Sequence, residues 1–146
     1  MSLKNIDNKL DGIAAGFQEV SWALLRILAG LMFLVGHGYA KMFGENAQPF
    51  LGGMDFFGIN LGINMLWIAG VIEFFGGALL ALGLLTRWTA LLAAILMVMA
   101  YLSAHMAWFP TLNRGELATL YFLVFFAIFA YGPGRYSLDA MLRGKR

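Results

Sequence analysis

Four long apolar stretches follow one another along this chain, separated by segments of unequal length. They cover roughly residues 22–43, 62–85, 88–108 and 115–131. One helical crossing of a bilayer needs about 20 mostly apolar residues, so each stretch is a candidate crossing. The pattern therefore predicts an all-α integral membrane protein, an antiparallel bundle of four transmembrane helices.

The first twenty residues follow a different pattern, with apolar residues on one side of a helix and charged residues on the other. The apolar positions step by three and four residues: Leu3, Ile6, Leu10, Ile13, Phe17 and Val20. This spacing is typical of an amphipathic helix that lies in the membrane interface. We expect three parts: an interfacial helix at 1–20, a four-helix transmembrane domain at 21–134, and a basic cytoplasmic tail at 135–146.

Composition supports a membrane protein without a separate soluble domain. Of the 146 residues, 61% are hydrophobic and 12% are charged, whereas an average soluble domain is about 25% charged. The chain has no cysteine, which excludes thiol–disulfide chemistry and iron–sulfur ligation by this chain. Nothing in the composition favours a nucleic-acid partner. The high hydrophobic content indicates that the chain is surrounded by the lipid bilayer.

The distribution of lysine and arginine predicts the orientation. Lys41 and Arg114 fall on one predicted side of the membrane. The other basic residues outside the crossings fall on the opposite side: Lys4, Lys9, Arg87, Arg135, Arg143, Lys145 and Arg146. Cytoplasmic loops carry the excess of positive charge, so both termini are predicted to be cytoplasmic.

The first crossing carries a polar stripe. Arg26, Gly30, Phe33, His37 and Lys41 are separated by four, three, four and four residues, which places them on one helical face. A charge at the bilayer centre costs a few kcal/mol or more, so such a face normally turns toward protein or a water-filled cavity. We therefore expect this stripe to face partner helices.

Two further crossings carry one polar face each. Glu73 shares a face with Gly70 and Gly77, and His105 is in register with Tyr101. Small residues allow helices to approach closely, which predicts that these faces are packed. We estimate the depth of each polar residue in the bilayer by counting residues from the start of its helix. These depths predict that the polar groups of three crossings meet in a pocket open to the outer face, with Glu73 at its floor.

The fourth crossing begins with a predicted capping box. Asn113 is its expected N-cap and Glu116 the third helical residue that bonds back to it. Both residues, with Arg114, lie at the predicted mouth of the pocket. We therefore include Asn113 and Glu116 among the residues expected to contact a bound molecule.

Several roles remain open for the ionisable groups. Glu73 is either a proton donor or acceptor for a bound small molecule, a carboxylate that anchors a substrate, or the partner of Arg26 in a structural ion pair. His37 and His105 either bind a small molecule, ligate a metal together with Glu73, ligate a haem, or hold helices together by hydrogen bonds. Two histidines are a weak metal signal, so no metal site is predicted.

The residues also resemble a known family. LRILAGLMFLVGHGYAKMFG, IEFFGGALLALGLLTRWTALLAAILM, NRGELATLY and YGPGRYSLDA are similar to the DoxX family of small four-helix membrane proteins, over about residues 22–140. The family is linked to quinone-reactive redox systems, and a related protein is a subunit of an archaeal thiosulfate:quinone oxidoreductase. The resemblance implies a redox-linked role in the cytoplasmic (inner) membrane of a bacterium or archaeon.

Together these observations predict a quinone-linked membrane oxidoreductase module with a quinone as possible cofactor. Glu73, His37 and His105 are its candidate catalytic residues, and the candidate binding residues are Arg26, Lys41, Tyr101, Asn113 and Glu116. The alternative is a non-catalytic accessory or scaffold subunit of a larger respiratory or oxidative-stress complex. In either case we expect a homo-oligomer or a larger membrane complex.

Overall fold

A computed structural model describes residues 3–45, 47–52 and 62–144, without the side chain of Leu3. Lys145 and Arg146, which contributed to the predicted orientation, lie outside the described residues. Within those ranges the chain is helical apart from turns and one isolated antiparallel bridge between Leu51 and Ile63. The all-helical prediction is confirmed.

Six α-helices, one π-helical segment and one 3₁₀-helix make up the described part of the chain. In order they are α1 (Leu3–Leu31), the π-helical segment (Met32–Gly38), α2 (Tyr39–Met42), α3 (Met65–Leu82), α4 (Thr86–Ala104), the 3₁₀-helix (Pro110–Asn113), α5 (Glu116–Tyr131) and α6 (Leu138–Leu142).

Three helical stretches are long and apolar enough to cross a membrane: Lys4–Met42, Met65–Leu82 and Thr86–Ala104. Helix α5 is apolar as well, but its 16 residues correspond to about 24 Å at 1.5 Å per residue. That is shorter than a hydrocarbon core of about 30 Å. The membrane character is thus supported, and the fourth crossing stays a prediction.

The first helix is longer than the bilayer is thick. Lys4–Met42 comprises 39 residues, or about 58 Å of helix, and no turn interrupts it near residue 20. The apolar residues of its first part are solvent-exposed in the isolated chain, Ile13 and Phe17 among them. The predicted amphipathic segment is therefore helical but continuous with the first crossing, and its position in the membrane interface stays a prediction.

Glycines bring α1 and α3 into close contact. A Cβ atom on Gly30 would lie 2.6 Å from the Ala81 nitrogen and 2.7 Å from the Gly77 oxygen, and one on Gly77 would lie 2.6 Å from the Gly30 oxygen. Only glycine permits this approach, as is common between membrane helices. The close crossing sets the rotation of α1 and turns its polar stripe toward the interior.

The helices follow one another around the bundle in the order α1, α3, α4, α5. Helix α5 packs along α4, whereas contact between α1 and α5 is sparse. The centre is filled by buried, mostly apolar side chains: Ala29, Phe33, Leu80, Ala90, Ala93, Ala94, Met97, Tyr121, Phe125 and Ile128. We call its two ends the Arg26 end and the Lys41 end, and α6 packs at the Arg26 end.

The predicted capping box at the start of α5 is wrong. Gly115 is the N-cap, and no side chain caps this helix. Asn113 is instead the last residue of the 3₁₀-helix that begins at Pro110. Because Arg114 then adopts a left-handed conformation (φ 55°), Asn113 is separated from the helix start by one turn of chain.

Candidate functional site

The buried carboxylate of α3 pairs with the first helix. Lys41 Nζ lies 2.5 Å from Glu73 Oε1 and 2.6 Å from Oε2. The Glu73 side chain is 4% exposed and that of Lys41 is 28% exposed. The partner of Glu73 is therefore Lys41, and the predicted alternative of an ion pair with Arg26 is wrong.

This ion pair forms part of the wall of a cavity at the Lys41 end, with a volume of about 300 Å³. Side chains from the first helix, α3, α4, α5 and the segment between α4 and α5 line it. They are Phe33, His37, Lys41, Glu73, Met97, Ala100, His105, Arg114, Leu117, Ala118 and Tyr121. One part of the wall is charged and polar, and the rest is apolar or aromatic.

His37 is a half-buried imidazole in this wall. Its ring meets the Tyr121 ring edge-on, with centroids 5.6 Å apart. Across residues 3–45, 47–52 and 62–144, no protein group hydrogen-bonds to this imidazole. A histidine that only holds helices together would be hydrogen-bonded, so His37 retains its capacity to bind a ligand.

The backbone around His37 is unusual. Met32–Gly38 is a π-helix, a form that is rare and found often at functional sites. Gly38 ends the segment against the backbone of Phe74, where a Cβ would clash. The segment thus presents Phe33 and His37 to the interior while the chain passes close to α3.

Tyr121 is a cavity residue that the sequence interpretation missed. It is buried and packs on Phe33 and His37, at centroid distances of 5.7 and 5.6 Å. Its hydroxyl makes no hydrogen bond within the described part of the chain. A hydroxyl in the middle of an apolar helix was the available signal, since a buried tyrosine normally finds a hydrogen-bond partner.

His105 is held more firmly than His37. It ends α4 as its C-cap residue, and its Nδ1 lies 3.0 Å from the carbonyl oxygen of Asn113. This contact ties the end of α4 to the 3₁₀-helix. His105 therefore combines a position in the cavity wall with a structural contact.

Three predicted binding residues lie near the cavity without lining it. Tyr101 donates a hydrogen bond to the Ala107 carbonyl oxygen at 2.7 Å and lines a neighbouring hollow. Asn113 and Glu116 are exposed. Arg114, an exposed residue in the turn before α5, lines the cavity in their place.

Arg26 lies at the opposite end of the bundle. It is 1% exposed, and its guanidinium donates to the carbonyl oxygens of Leu80 at 2.5 Å, Ala81 at 3.0 Å and Tyr136 at 2.6 Å. The last carbonyls of a helix lack partners within it, and Arg26 supplies donors to two of those of α3. The structure therefore places Arg26 outside the cavity that contains Glu73, contrary to the prediction.

Of the eight predicted site residues, four meet in one cavity: His37, Lys41, Glu73 and His105. Among the residues described, no three His, Cys, Asp or Glu side chains are grouped closely enough to hold a metal ion. The geometry thus brings four of the predicted residues together with Arg114 and Tyr121 in the wall of one cavity.

Comparison with known proteins gives the family. The DoxX family pattern matches residues 21–106. The chain belongs to the DoxX family.

Two relatives extend over most of the chain. A Haemophilus influenzae protein described as uncharacterized is 42% identical over 122 residues, which is 80% of this chain and 87% of that protein. A Bacillus subtilis protein named "Putative oxidoreductase CatD" is 30% identical over 130 residues, which is 88% of this chain and 92% of that protein. No solved structure matches the chain.

Proposed function

We propose that this DoxX protein is a quinone-linked membrane oxidoreductase module whose cavity binds the ring of a quinone. The observation that carries the proposal is a pair of polar groups without protein hydrogen-bond partners in the described chain, the His37 imidazole and the Tyr121 hydroxyl. They share one cavity with the Lys41–Glu73 ion pair. The name of the Bacillus subtilis relative is consistent with redox chemistry.

The cavity suits a single ring. Small-molecule sites range from about 300 to 1,000 Å³ and are mostly apolar with a few placed polar groups. A volume of about 300 Å³ is at the lower limit of this range, which favours a monocyclic headgroup. Phe33 and Tyr121 offer faces for an aromatic ring, while His37 and Tyr121 can donate hydrogen bonds to ring oxygens.

The ion pair supplies the groups that exchange protons. A quinone takes up two electrons and two protons when it is reduced to the quinol. The Lys41–Glu73 pair joins a buried carboxylate to an amine that is in part exposed, and the His37 imidazole, a group able to carry a proton, lines the same cavity. These groups can therefore pass protons between the cavity and the aqueous side.

The electrons come from a partner in this proposal. The chain has no cysteine and therefore cannot ligate an iron–sulfur cluster through its own thiolates. A redox protein at the Lys41 end, or a soluble reductant, would supply them. The chain then contributes the quinone site to a larger complex or a homo-oligomer.

A seam between the first helix and α5 gives a route for the apolar tail of a quinone. The two helices make few backbone contacts, and aromatic side chains bridge the gap. Phe33 and Phe125 have centroids 4.8 Å apart, and Phe33 and Tyr121 5.7 Å. Side chains can change rotamer more readily than packed backbones can separate, so the seam favours entry from the bilayer.

The test is quinone binding by the purified full-length protein in detergent. Quenching of tryptophan fluorescence by a short-tailed quinone gives the affinity, and we expect His37→Gln and Tyr121→Phe each to weaken binding about tenfold, the effect of losing one hydrogen bond to a buried group. Tyr101→Phe is the matched control, since Tyr101 bonds Ala107 outside the cavity. Equal affinity in all four proteins would exclude this cavity as the quinone site.

The second candidate function is an accessory subunit without its own reaction. The exposed first part of α1, with apolar residues such as Ile13 and Phe17, favours it, because such a face is available to another membrane protein. Purification from native membranes separates the two. Bound quinone on a homo-oligomer supports the oxidoreductase module, whereas a stoichiometric redox partner and no quinone supports the accessory role.

A further inference from the structure

Three arginines converge at the Arg26 end of the bundle, far from the quinone cavity. Arg87 is the second residue of α4, Arg135 lies in the loop between α5 and α6, and Arg143 is the C-cap residue of α6. Together they line an open hollow of about 500 Å³. Separate elements thus bring three positive charges to one concave surface.

Only one of the three guanidinium groups, that of Arg87, is hydrogen-bonded within the described part of the chain. Arg87 donates to the carbonyl oxygens of Phe129 at 2.6 Å and Ala130 at 3.0 Å, which fixes its position at the end of α5. The guanidinium groups of Arg135 and Arg143 make no hydrogen bond and no ion pair with any described residue. Both are exposed and available to an anion.

The nearby carboxylates are engaged by backbone amides. Asp139 accepts from the Leu85 nitrogen at 3.0 Å and the Thr86 nitrogen at 2.8 Å. Glu19 accepts from the backbone nitrogen of Arg135 at 3.0 Å, not from its guanidinium. Because Asp139 is the one acidic residue in the wall, the three arginines leave the hollow positively charged.

The aromatic residues beside the hollow are typical of a membrane surface. The start of α4 and the end of α5 meet there, and Trp88 and Tyr131 are 71% and 80% exposed. Exposed aromatics of this kind are enriched at the boundary between lipid and water. A ligand in the hollow would therefore lie among lipid headgroups.

We propose that this hollow binds the phosphate headgroup of an anionic phospholipid. Guanidinium groups match phosphate oxygens in geometry and charge, and basic pockets at the ends of membrane helices bind anionic headgroups. Arg87 is held in place by its carbonyl contacts, and Arg135 and Arg143 close around the phosphate. This inference does not depend on the quinone proposal.

The experiment measures lipid retention by the full-length protein in detergent, using native mass spectrometry. Phosphatidylglycerol, phosphatidylcholine and inorganic phosphate are added separately. We expect preferential retention of phosphatidylglycerol, weakened about fivefold by Arg143→Gln and about 25-fold by Arg135→Gln with Arg143→Gln. The double variant Lys4→Gln with Lys9→Gln is the control, because it removes the same charge from exposed positions at the same end.

Each other outcome would overturn the proposal. Equal retention of phosphatidylcholine would show that the headgroup charge is not recognised. Equal loss in the lysine control would indicate general attraction to a basic surface, and displacement of the lipid by inorganic phosphate at the same concentration would make free phosphate the ligand. If the double variant fails to fold, unchanged lipid retention by folded Arg143→Gln would contradict the proposal.

Discussion

At each end of the bundle, a positive charge from the first helix contacts neighbouring elements, and the hydrogen-bond partners of the two charges differ. Arg26 donates to three main-chain carbonyl oxygens and has no carboxylate within salt-bridge distance among the described residues. Lys41 instead bonds one carboxylate beside a cavity. The first arrangement is closed by backbone, and the second is open to a ligand.

This difference separates a charge that is enclosed by main chain from a charge that a molecule in a cavity can reach. Backbone carbonyls cannot take up a proton or move away, so the contacts of Arg26 hold α1, α3 and the loop before α6 together. Gly83 completes this arrangement, since its φ of 70° suits glycine and a Cβ there would lie 2.6 Å from Arg26 Nη1. A carboxylate–amine pair can exchange protons, and the cavity gives a ligand access to it.

The largest expected effect on stability is at the Arg26 end of the bundle. Arg26→Met should lower the free energy of unfolding by about 4 kcal/mol, because buried carbonyls lose charged hydrogen-bond donors. Unfolding in detergent, followed by circular dichroism, measures it. Lys9→Met on the exposed part of the same helix is the control and should have almost no effect. Similar losses in both variants would show that the Arg26 contacts do not stabilise the bundle.

The ion pair should show a smaller and non-additive effect. Glu73→Met leaves Lys41 without its carboxylate, and we expect a loss of about 1–3 kcal/mol. Removal of one partner of a fully buried pair costs about 3–5 kcal/mol, and the partial exposure of Lys41 reduces this. Combining Lys41→Met with Glu73→Met should recover most of the loss, as a double-mutant cycle would measure. Additive losses would mean that the two side chains do not act as a pair.

Asp139, at the Arg26 end, should make the stability of the protein depend on pH. Burial alone would raise the pKa of Asp139, but hydrogen bonds from the Thr86 and Leu85 backbone, with the charge of Arg143, lower this pKa below its ordinary value. A lowered pKa in the folded state contributes stability above the unfolded pKa of about 3.9. That stability is lost as the pH falls through the folded pKa.

We therefore expect Asp139→Asn to lower the free energy of unfolding by about 1 kcal/mol at pH 7, like the loss of a helix cap. The difference from the unaltered protein should shrink as the pH falls below about 4. Thermal unfolding at several pH values measures it, with the exposed Asp11→Asn as control. A difference that is constant over this pH range would contradict the assignment.

The smallest effect on stability is expected at His37. His37→Gln should change the free energy of unfolding by less than about 1 kcal/mol, because only ring packing on Phe33 and Tyr121 is lost. His105→Gln is the comparison, since it also breaks the contact with Asn113. Instead of stability, we expect His37→Gln to lower the affinity of the protein for quinone. A larger destabilisation at His37 than at His105 would assign His37 a structural role.

The periodicity of the first crossing predicted much of this arrangement correctly. Spacing alone placed Arg26, Phe33, His37 and Lys41 on one face, and the structure turns that face inward. The pairing of Glu73 was not predictable in the same way, because Arg26 and Lys41 lie on the same stripe about four turns apart. Only the crossing at Gly30 and Gly77 decides which of them comes level with Glu73.

Local signals failed where a neighbouring element competed for the same residues. Asn113 and Glu116 have the spacing of a capping box, yet Pro110 starts a 3₁₀-helix that includes Asn113. Tyr121 was missed because its helix is apolar throughout, which hides the face that meets Phe33. The π-helical segment has no composition signal that separates it from an ordinary helix.

The sequence by itself determined that the chain is helical, belongs in a membrane and turns its ionisable stripe away from lipid. Those properties follow from the length of the apolar stretches, the helical period and the high cost of a charge in hydrocarbon. The tertiary structure alone decided that Lys41 pairs with Glu73, that Arg26 binds carbonyls, and that three arginines share one hollow. These contacts depend on the rotation and crossing of helices distant in sequence, which no local pattern specifies.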